Sequence, residues 1–251
     1  MSEGRFDSSG KPRESSAGGG ESVVSRVGGM ETRGPMKEMQ DTHKVLHPFG
    51  GRKDRSFFAV YDGHDRSEPS QIAAETFHTV FLDGLEHGLT AQHALTRAFA
   101  ETNRRIDAAV PDGGGTTAVV AYLEGNRLIV GNVGDSRIII DRGGSVERLT
   151  TDHRNEKSEL IRSLGDKDAG EGVSHEPELR EFQLGRGDRR LIIACDGLWD
   201  HVGDPEAVRL TARLKHPKLA SEILMREAQR RGSRDDITVL VVDLDQRALK
   251  T

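Results

Sequence analysis

Five consecutive apolar or aromatic residues, Phe57 to Tyr61, run directly into Asp62-Gly63-His64. A short apolar run that stops at a turn signal reads as a strand buried on both faces. A carboxylate at the end of such a strand is held by a rigid element yet open to solvent, which suits a metal ligand. The device recurs where Leu191 to Cys195 meets Asp196-Gly197, and in reverse where Asp235-Asp236 precedes the run from Ile237 to Leu244. Asp135 sits between two further apolar runs. Taken singly, an Asp-Gly pair is an ordinary hairpin turn. If the three most apolar strands run antiparallel in one region, however, Asp62, Asp196 and Asp235 meet at one rim. Carboxylates that close repel unless a cation lies between them. Oxygen ligands without a His or Cys cluster select Mg²⁺ or Mn²⁺ over zinc.

The 251 residues suffice for one large domain, and the net charge of −5 argues against general attraction to nucleic acid or to anionic membrane. There is no apolar run of the roughly 20 residues a membrane span needs. The start of the chain lacks a signal-peptide layout, so the expectation is an intracellular protein, cytoplasmic or nuclear, and nothing suggests an obligate dimer. The single cysteine, Cys195, lies in an apolar strand and reads as core filling.

Residues 1–22 are Ser, Gly and charge without periodicity, which predicts a disordered tail; residues 23–247 form the expected domain. One or two short strands precede Phe57. Ile72, Ala73, Phe77, Val80, Phe81 and Leu85 recur at three and four after Pro69, and a second such pattern follows Thr90, predicting two amphipathic helices. Closely spaced turns from Thr117 to Thr150 predict an antiparallel meander. A short helix is expected from Glu156 to Ser163, one strand within Val173 to Leu184, helices opening at Pro205 and Pro217, and a final strand over Ile237 to Leu244. This order excludes parallel βαβ repeats. It fits an α+β fold of two antiparallel sheets packed as a sandwich, with helix pairs on both outer faces.

Two metal ions at such a rim can clamp a phosphoryl oxygen and activate water. Arg33 is the candidate to neutralise remaining phosphate charge. His64, with an unperturbed pKa of about 6.5, can protonate a leaving alkoxide. The basic run from Arg226 to Arg234 reads mainly as a solvated helix end, with contact to a phosphate-bearing substrate as the sharper option. A nuclease or polymerase reading lacks the basic, aromatic-laced stripe it requires.

The segments FFAVYDGH, GGGTTAVVAYL, VGNVGDSR, LTTDHR, LIIACDGLWD and GSRDDITVLVV occur in the order found in metal-dependent protein phosphatases of the PPM/PP2C type. The resemblance runs from about Gly28 to Leu244. It implies hydrolysis of phosphoserine and phosphothreonine in phosphoprotein substrates with two Mg²⁺ or Mn²⁺ ions and no phosphoenzyme. It further implies that Asp62 bridges both ions, that the Gly63 carbonyl serves one, and that Asp196 and Asp235 serve the other. Asp135 and Asp200 match positions of a third, weaker ion, His64 matches a general acid, and Thr116 and Thr117 match a structural pair. Three departures stand out. Gln40 occupies the place of a metal-binding Glu, with Glu38 two residues away on the same face of a strand. Arg33 lies about three residues further from this position than the pattern expects, leaving Lys37 as an alternative anchor. The stretch between His153 and Leu191 is short by about a hairpin, so that Arg162-Ser163-Leu164-Gly165-Asp166 follows almost at once and the flap is reduced. Asp65 also replaces a usual Gly. Gln40 and the short stretch motivate an alternative: a catalytically weak or inactive regulatory module.

Overall fold

The computed structural model describes residues 21–35, 38–157, 159–167 and 173–249. The tail expected over 1–22 lies outside them but for its last two residues. In chain order the strands and helices begin with β1 (Val24–Thr32), β2 (Thr42–Leu46), β3 (Arg55–Tyr61) and the two-residue β4 (Gly63–His64). Helices α1 (Glu68–Glu86) and α2 (Ala91–Ala109) follow, then β5 (Gly115–Thr116), β6 (Ala118–Glu124), β7 (Arg127–Val133), β8 (Arg137–Asp141) and β9 (Val146–Arg148). The remainder is β10 (Leu164–Gly165), β11 (Glu178–Gln183), β12 (Arg190–Ala194), α3 (Asp196–Trp199), α4 (Asp204–Thr211), α5 (Pro217–Arg230) and β13 (Ile237–Leu244).

Two five-stranded antiparallel sheets form, in the orders β11-β7-β6-β3-β2 and β1-β13-β12-β8-β9. The apolar run Phe57 to Tyr61 is continuous because β3 is covered twice. Phe57, Ala59 and Tyr61 point outward to Phe77, Phe81 and Phe99 of α1 and α2. Phe58 and Val60 point inward, where they share a core with Ile138, Ile140, Leu191, Ile193 and Leu240 of the other sheet. That sheet's outer face, with Ile139, Ile192 and Val241, is covered by Leu198, Trp199, Ala220 and Leu224. Alternate residues of one strand thus serve two cores. The helix pair is placed as the periodicity predicts: Pro69 sits in the first turn of α1 and the Thr90 hydroxyl accepts from the His93 N–H at 3.3 Å to cap α2.

Two expectations need correction. The stretch from Thr117 to Thr150 is not one meander: β6 and β7 belong to one sheet and β8 and β9 to the other, so the chain changes sheets at Gly134-Asp135. No helix spans 156–163 among the described residues; Arg154 and Leu160 instead form an antiparallel bridge. The absent hairpin leaves neither main sheet short of strands, because five remain in each. The residues Leu164-Gly165 form β10, which pairs with β5, and β5 pairs with β4 on its other side.

Candidate functional site

The two sheets meet at one end of the sandwich, where β3 and β12 stop and β13 starts. Since β12 and β13 are antiparallel, with Ala194 opposite Val239, the residues just beyond them, Asp196 and Asp235, come to one rim. Asp62 joins them from the other sheet, and Asp135 arrives at the crossover between β7 and β8. Carboxylate oxygens of Asp62, Asp135 and Asp196 lie within 4.8 Å of one another. A cavity of about 630 Å³ opens here, lined among others by Gln40, Asp62, Gly63, His64, Asp135, Asp196, Asp200 and Asp235.

Neither Asp-Gly pair is a hairpin turn. A Cβ on Gly63 would lie 2.5 Å from the Gln40 carbonyl oxygen, and one on Gly197 would lie 2.0 Å from that of Asp236. Both glycines are there because a neighbouring backbone passes too close for a side chain. The close approach brings Gln40-Asp41 and Asp235-Asp236 against the two acids. The Asp62 backbone is pinned as well: its carbonyl accepts from the Thr117 N–H at 2.8 Å and the Thr116 hydroxyl at 3.0 Å. Thr117 and Thr116 therefore do structural work.

Asp235 and Asp236 divide the labour. Asp236 is buried and turned inward, accepting from the Gly34 N–H at 2.7 Å and the Gln40 N–H at 2.6 Å. Asp235 is exposed and lines the cavity. Asp236 is thus a clamp that ties the segment before β2 to the start of β13.

That clamp delivers a group the sequence reading passed over. Asp41, 3% exposed, has no hydrogen-bond partner on either carboxylate oxygen. One of its oxygens lies within 4.8 Å of an Asp62 oxygen and of the Cys195 sulfur. Burial, opposed in part by the adjoining Thr238 hydroxyl and Cys195 thiol, pushes its carboxyl up to about 7. Asp62 is driven well above the usual carboxylate range, by burial first and then by Asp41, Asp196, Asp135 and Asp235. Asp196 is pushed up to about 7 by burial and by Asp135 and Asp235, against the pull of Arg154, and its Oδ1 is buried without a partner. Unpartnered buried oxygens and acids that oppose one another's ionisation fit a divalent cation, which would satisfy both. The signal that could have found Asp41 is its place beside Gln40 in the early motif.

Gln40 lines the cavity, and its backbone groups hold the site together, the N–H on Asp236 and the carbonyl accepting from the Gly63 N–H at 3.2 Å and from the Ser70 hydroxyl. Glu38 is exposed and absent from the lining, so it does not stand in for the missing acid. Arg33 is likewise exposed and outside the lining; the arginines that line the cavity are Arg154 and Arg234. Lys37 lies outside the described residues.

His64 Nε2 lies 2.9 and 2.8 Å from the two oxygens of Asp166, which also accepts from the Ser163 hydroxyl. The contact exists because β5 carries β4 on one side and β10 on the other. Burial alone lowers the His64 pKa, but the Asp166 hydrogen bond and charge outweigh it and the net direction is up. Asp65 and Asp166 both have positive φ, 66° and 56°. This left-handed backbone explains why glycine is usual after the DGH triplet, and aspartate is among the few residues that tolerate it.

Fold and rim together define a helix-flanked β-sandwich with a carboxylate-lined cavity at one end. The family model described as protein phosphatase 2C matches residues 25–161 and 158–237, and the chain belongs to that family. It is a protein serine/threonine phosphatase of the PPM type. "Protein phosphatase 2C homolog 1" of Schizosaccharomyces pombe is 35% identical over 240 residues, covering 83% of this chain and 69% of that relative. The Saccharomyces cerevisiae protein of the same name is 29% identical over 265 residues, covering 88% and 94%. Among solved structures, serine-threonine phosphatase 2C from Toxoplasma gondii aligns with a TM-score of 0.77 at 19% identity, covering 90% of this chain and 98% of that one. A C. elegans sex determining protein aligns with a TM-score of 0.80 at 21% identity, covering 92% and 68%. At these identities the solved structures speak for the fold alone. No helix among the described residues is long and apolar enough to cross a membrane.

Proposed function

We propose that the chain hydrolyses phosphoserine and phosphothreonine in proteins with the help of two divalent ions, Mg²⁺ or Mn²⁺, and without a phosphoenzyme. The observation that carries this is the pair Asp41 and Asp62, two carboxylates packed together with Asp41 buried and unpartnered. Asp62, the Gly63 carbonyl, Asp196 and Asp235 would hold the ions, with Asp62 as the ligand they would share. Asp41 keeps one acidic charge packed against Asp62 although Gln40 contributes none, which favours an active enzyme over a weak or inactive module. Asp135 and Asp200, which also line the cavity, would hold a further ion more weakly. When bound, the ions neutralise phosphoryl charge and acidify water.

The chain's own groups do the rest. His64, whose pKa Asp166 raises, donates its proton to the departing serine or threonine oxygen. Arg234 lines the cavity on the Asp235 side and takes the phosphate-neutralising role first considered for Arg33.

The test is phosphate release from a phosphothreonine peptide by chelator-treated protein, with and without Mn²⁺. Activity is expected only with the ion, and Asp62→Asn is expected to lower kcat by at least about a hundredfold. Turnover that ignores divalent ions, or that survives Asp62→Asn, overturns the reading.

A further inference from the structure

The outer edge of the rim already holds a cation. The Arg154 guanidinium donates through Nε to Asp135 and through Nη2 to Asp196, and its Nη1 lies 3.3 Å from both oxygens of Asp200. Three carboxylates from two separate parts of the chain, the β7–β8 crossover and the short helix α3 with its C-cap, thus converge on one arginine. The contact is prepared by the residues before it. Asp152 is gripped by Arg137, whose Nε donates at 3.0 Å, and Arg137 is itself held by Asp204 at 2.5 Å and stacked over Trp199. The His153 N–H donates to the Gly134 carbonyl at 3.0 Å, and the His153 Nδ1 accepts from the Gly134 N–H at 3.2 Å. On the far side, Arg154 bridges to Leu160. The segment is fixed to the same crossover that carries Asp135, so the guanidinium is aimed at the acids by the fold and is not a surface side chain that drifted there.

The consequence follows from the ligand count. Oxygens of Asp135 and Asp196 that accept from Arg154 are oxygens a divalent ion would need. We propose that Arg154 is a tethered counter-cation: it holds the outer carboxylates together when no ion is there and competes with a divalent ion for them. Arg154 thereby sets how tightly, and in what number, the rim takes divalent cations. This rests on the metal-dependent reading above. Arg154 is a positioning residue, since it acts through Asp135, Asp196 and Asp200. The arrangement makes a prediction opposite to that for a ligand or a phosphate anchor: removing the positive charge strengthens ion binding.

The experiment is a calorimetric Mn²⁺ titration of the chelator-treated full chain, paired with the Mn²⁺-induced rise in unfolding temperature. Wild type is compared with Arg154→Ala, Arg154→Lys and Asp62→Asn. Arg154→Ala is expected to bind one further Mn²⁺, or to bind the weakest one at least about tenfold more tightly, because one repelling charge is gone. Without ion it is less stable than wild type, and Mn²⁺ raises its unfolding temperature by more, as a ligand that binds only the folded state must. Arg154→Lys keeps the charge without the fork and falls between the two. If Arg154→Ala does not fold without ion, rescue of its folding by Mn²⁺ supports the proposal, and no rescue overturns it. Unchanged stoichiometry and affinity in both Arg154 variants, with Asp62→Asn still abolishing tight binding, overturns the proposal alone. Absence of Mn²⁺ binding by every protein, wild type included, overturns the metal reading and the proposal with it.

Discussion

At the scale of single residues, the pair His64 and Asp166 shows how one contact sets a chemical property. An imidazole that gives up its proton to a leaving oxygen must hold that proton at working pH. Burial works against this, and the Asp166 carboxylate restores it. The folded pKa of His64 is therefore raised, and its protonated form persists to higher pH than in the unfolded chain. Asp166→Asn removes the charge and keeps the shape. The alkaline fall in kcat is then expected to begin at lower pH than in wild type, which a pH–rate profile from pH 5 to 9 would reveal. An alkaline limb that stays in place would show that His64 is not the group that titrates. His64 itself was legible from its spacing to Asp62. Asp166 was legible only as part of a motif, because 102 residues separate it from its partner. Asp41 was missed for a related reason: its place beside Gln40 was the one local signal, and its contact with Asp62 joins segments that are apart in the chain.

At the scale of elements, the site depends on how closely α3 and the start of β13 approach. Asp196 is the first residue of α3, and Gly197 lets the Asp236 carbonyl come where a Cβ would sit at 2.0 Å. Gly197→Ala must push the two segments apart, since the obstacle is backbone and not a flexible side-chain tip. A loss of about 1–3 kcal/mol in unfolding free energy is expected, as for other overpacked sites. Weaker Mn²⁺ binding should accompany it, because Asp196 and Asp235 separate. Denaturant unfolding and calorimetry check both, and unchanged Mn²⁺ affinity would refute the coupling. The elements themselves were largely readable. Period three-to-four marked α1, α2 and α5, and continuous apolar runs marked β3, β12 and β13. The helix expected over 156–163 failed because the polar and charged run from Glu156 to Glu159 carries helix propensity wherever it lies, while the Arg154–Leu160 bridge is a tertiary choice. The crossover between β7 and β8 was unreadable for another reason: a turn between strands of one sheet and a turn between sheets use the same residues.

At the scale of the whole molecule, five acids from distant segments are driven to one end of the sandwich, and their repulsion is part of its stability. Asp41 and Asp196 are pushed up to about 7 from 3.8. The unfolded chain releases these protons near pH 4, whereas the folded chain keeps them to about pH 7. Folding is therefore favoured by these groups below pH 4, and that contribution is lost as pH rises from about 4 to 7. In chelator, stability is expected to fall across that window, less steeply in Asp41→Asn. Mn²⁺ competes with protons for the same oxygens and should stabilise more at pH 7 than at pH 5. Thermal unfolding at the two pH values, with and without Mn²⁺, checks the sign; a larger ion effect at pH 5 would contradict it.

Local text alone determined the long apolar strands, helices α1, α2, α4 and α5, and the positions where acids end or begin apolar runs, because burial on two faces and helical periodicity are written in neighbouring residues. Tertiary structure decided which acids meet. Carboxylate partnership depends on distances between segments that lie tens to hundreds of residues apart, and on backbones close enough to exclude a Cβ. Only the folded chain turned Asp235 to the cavity and Asp236 inward, seated Asp41 behind Asp62, and set the Arg154 guanidinium among three carboxylates where a cation belongs.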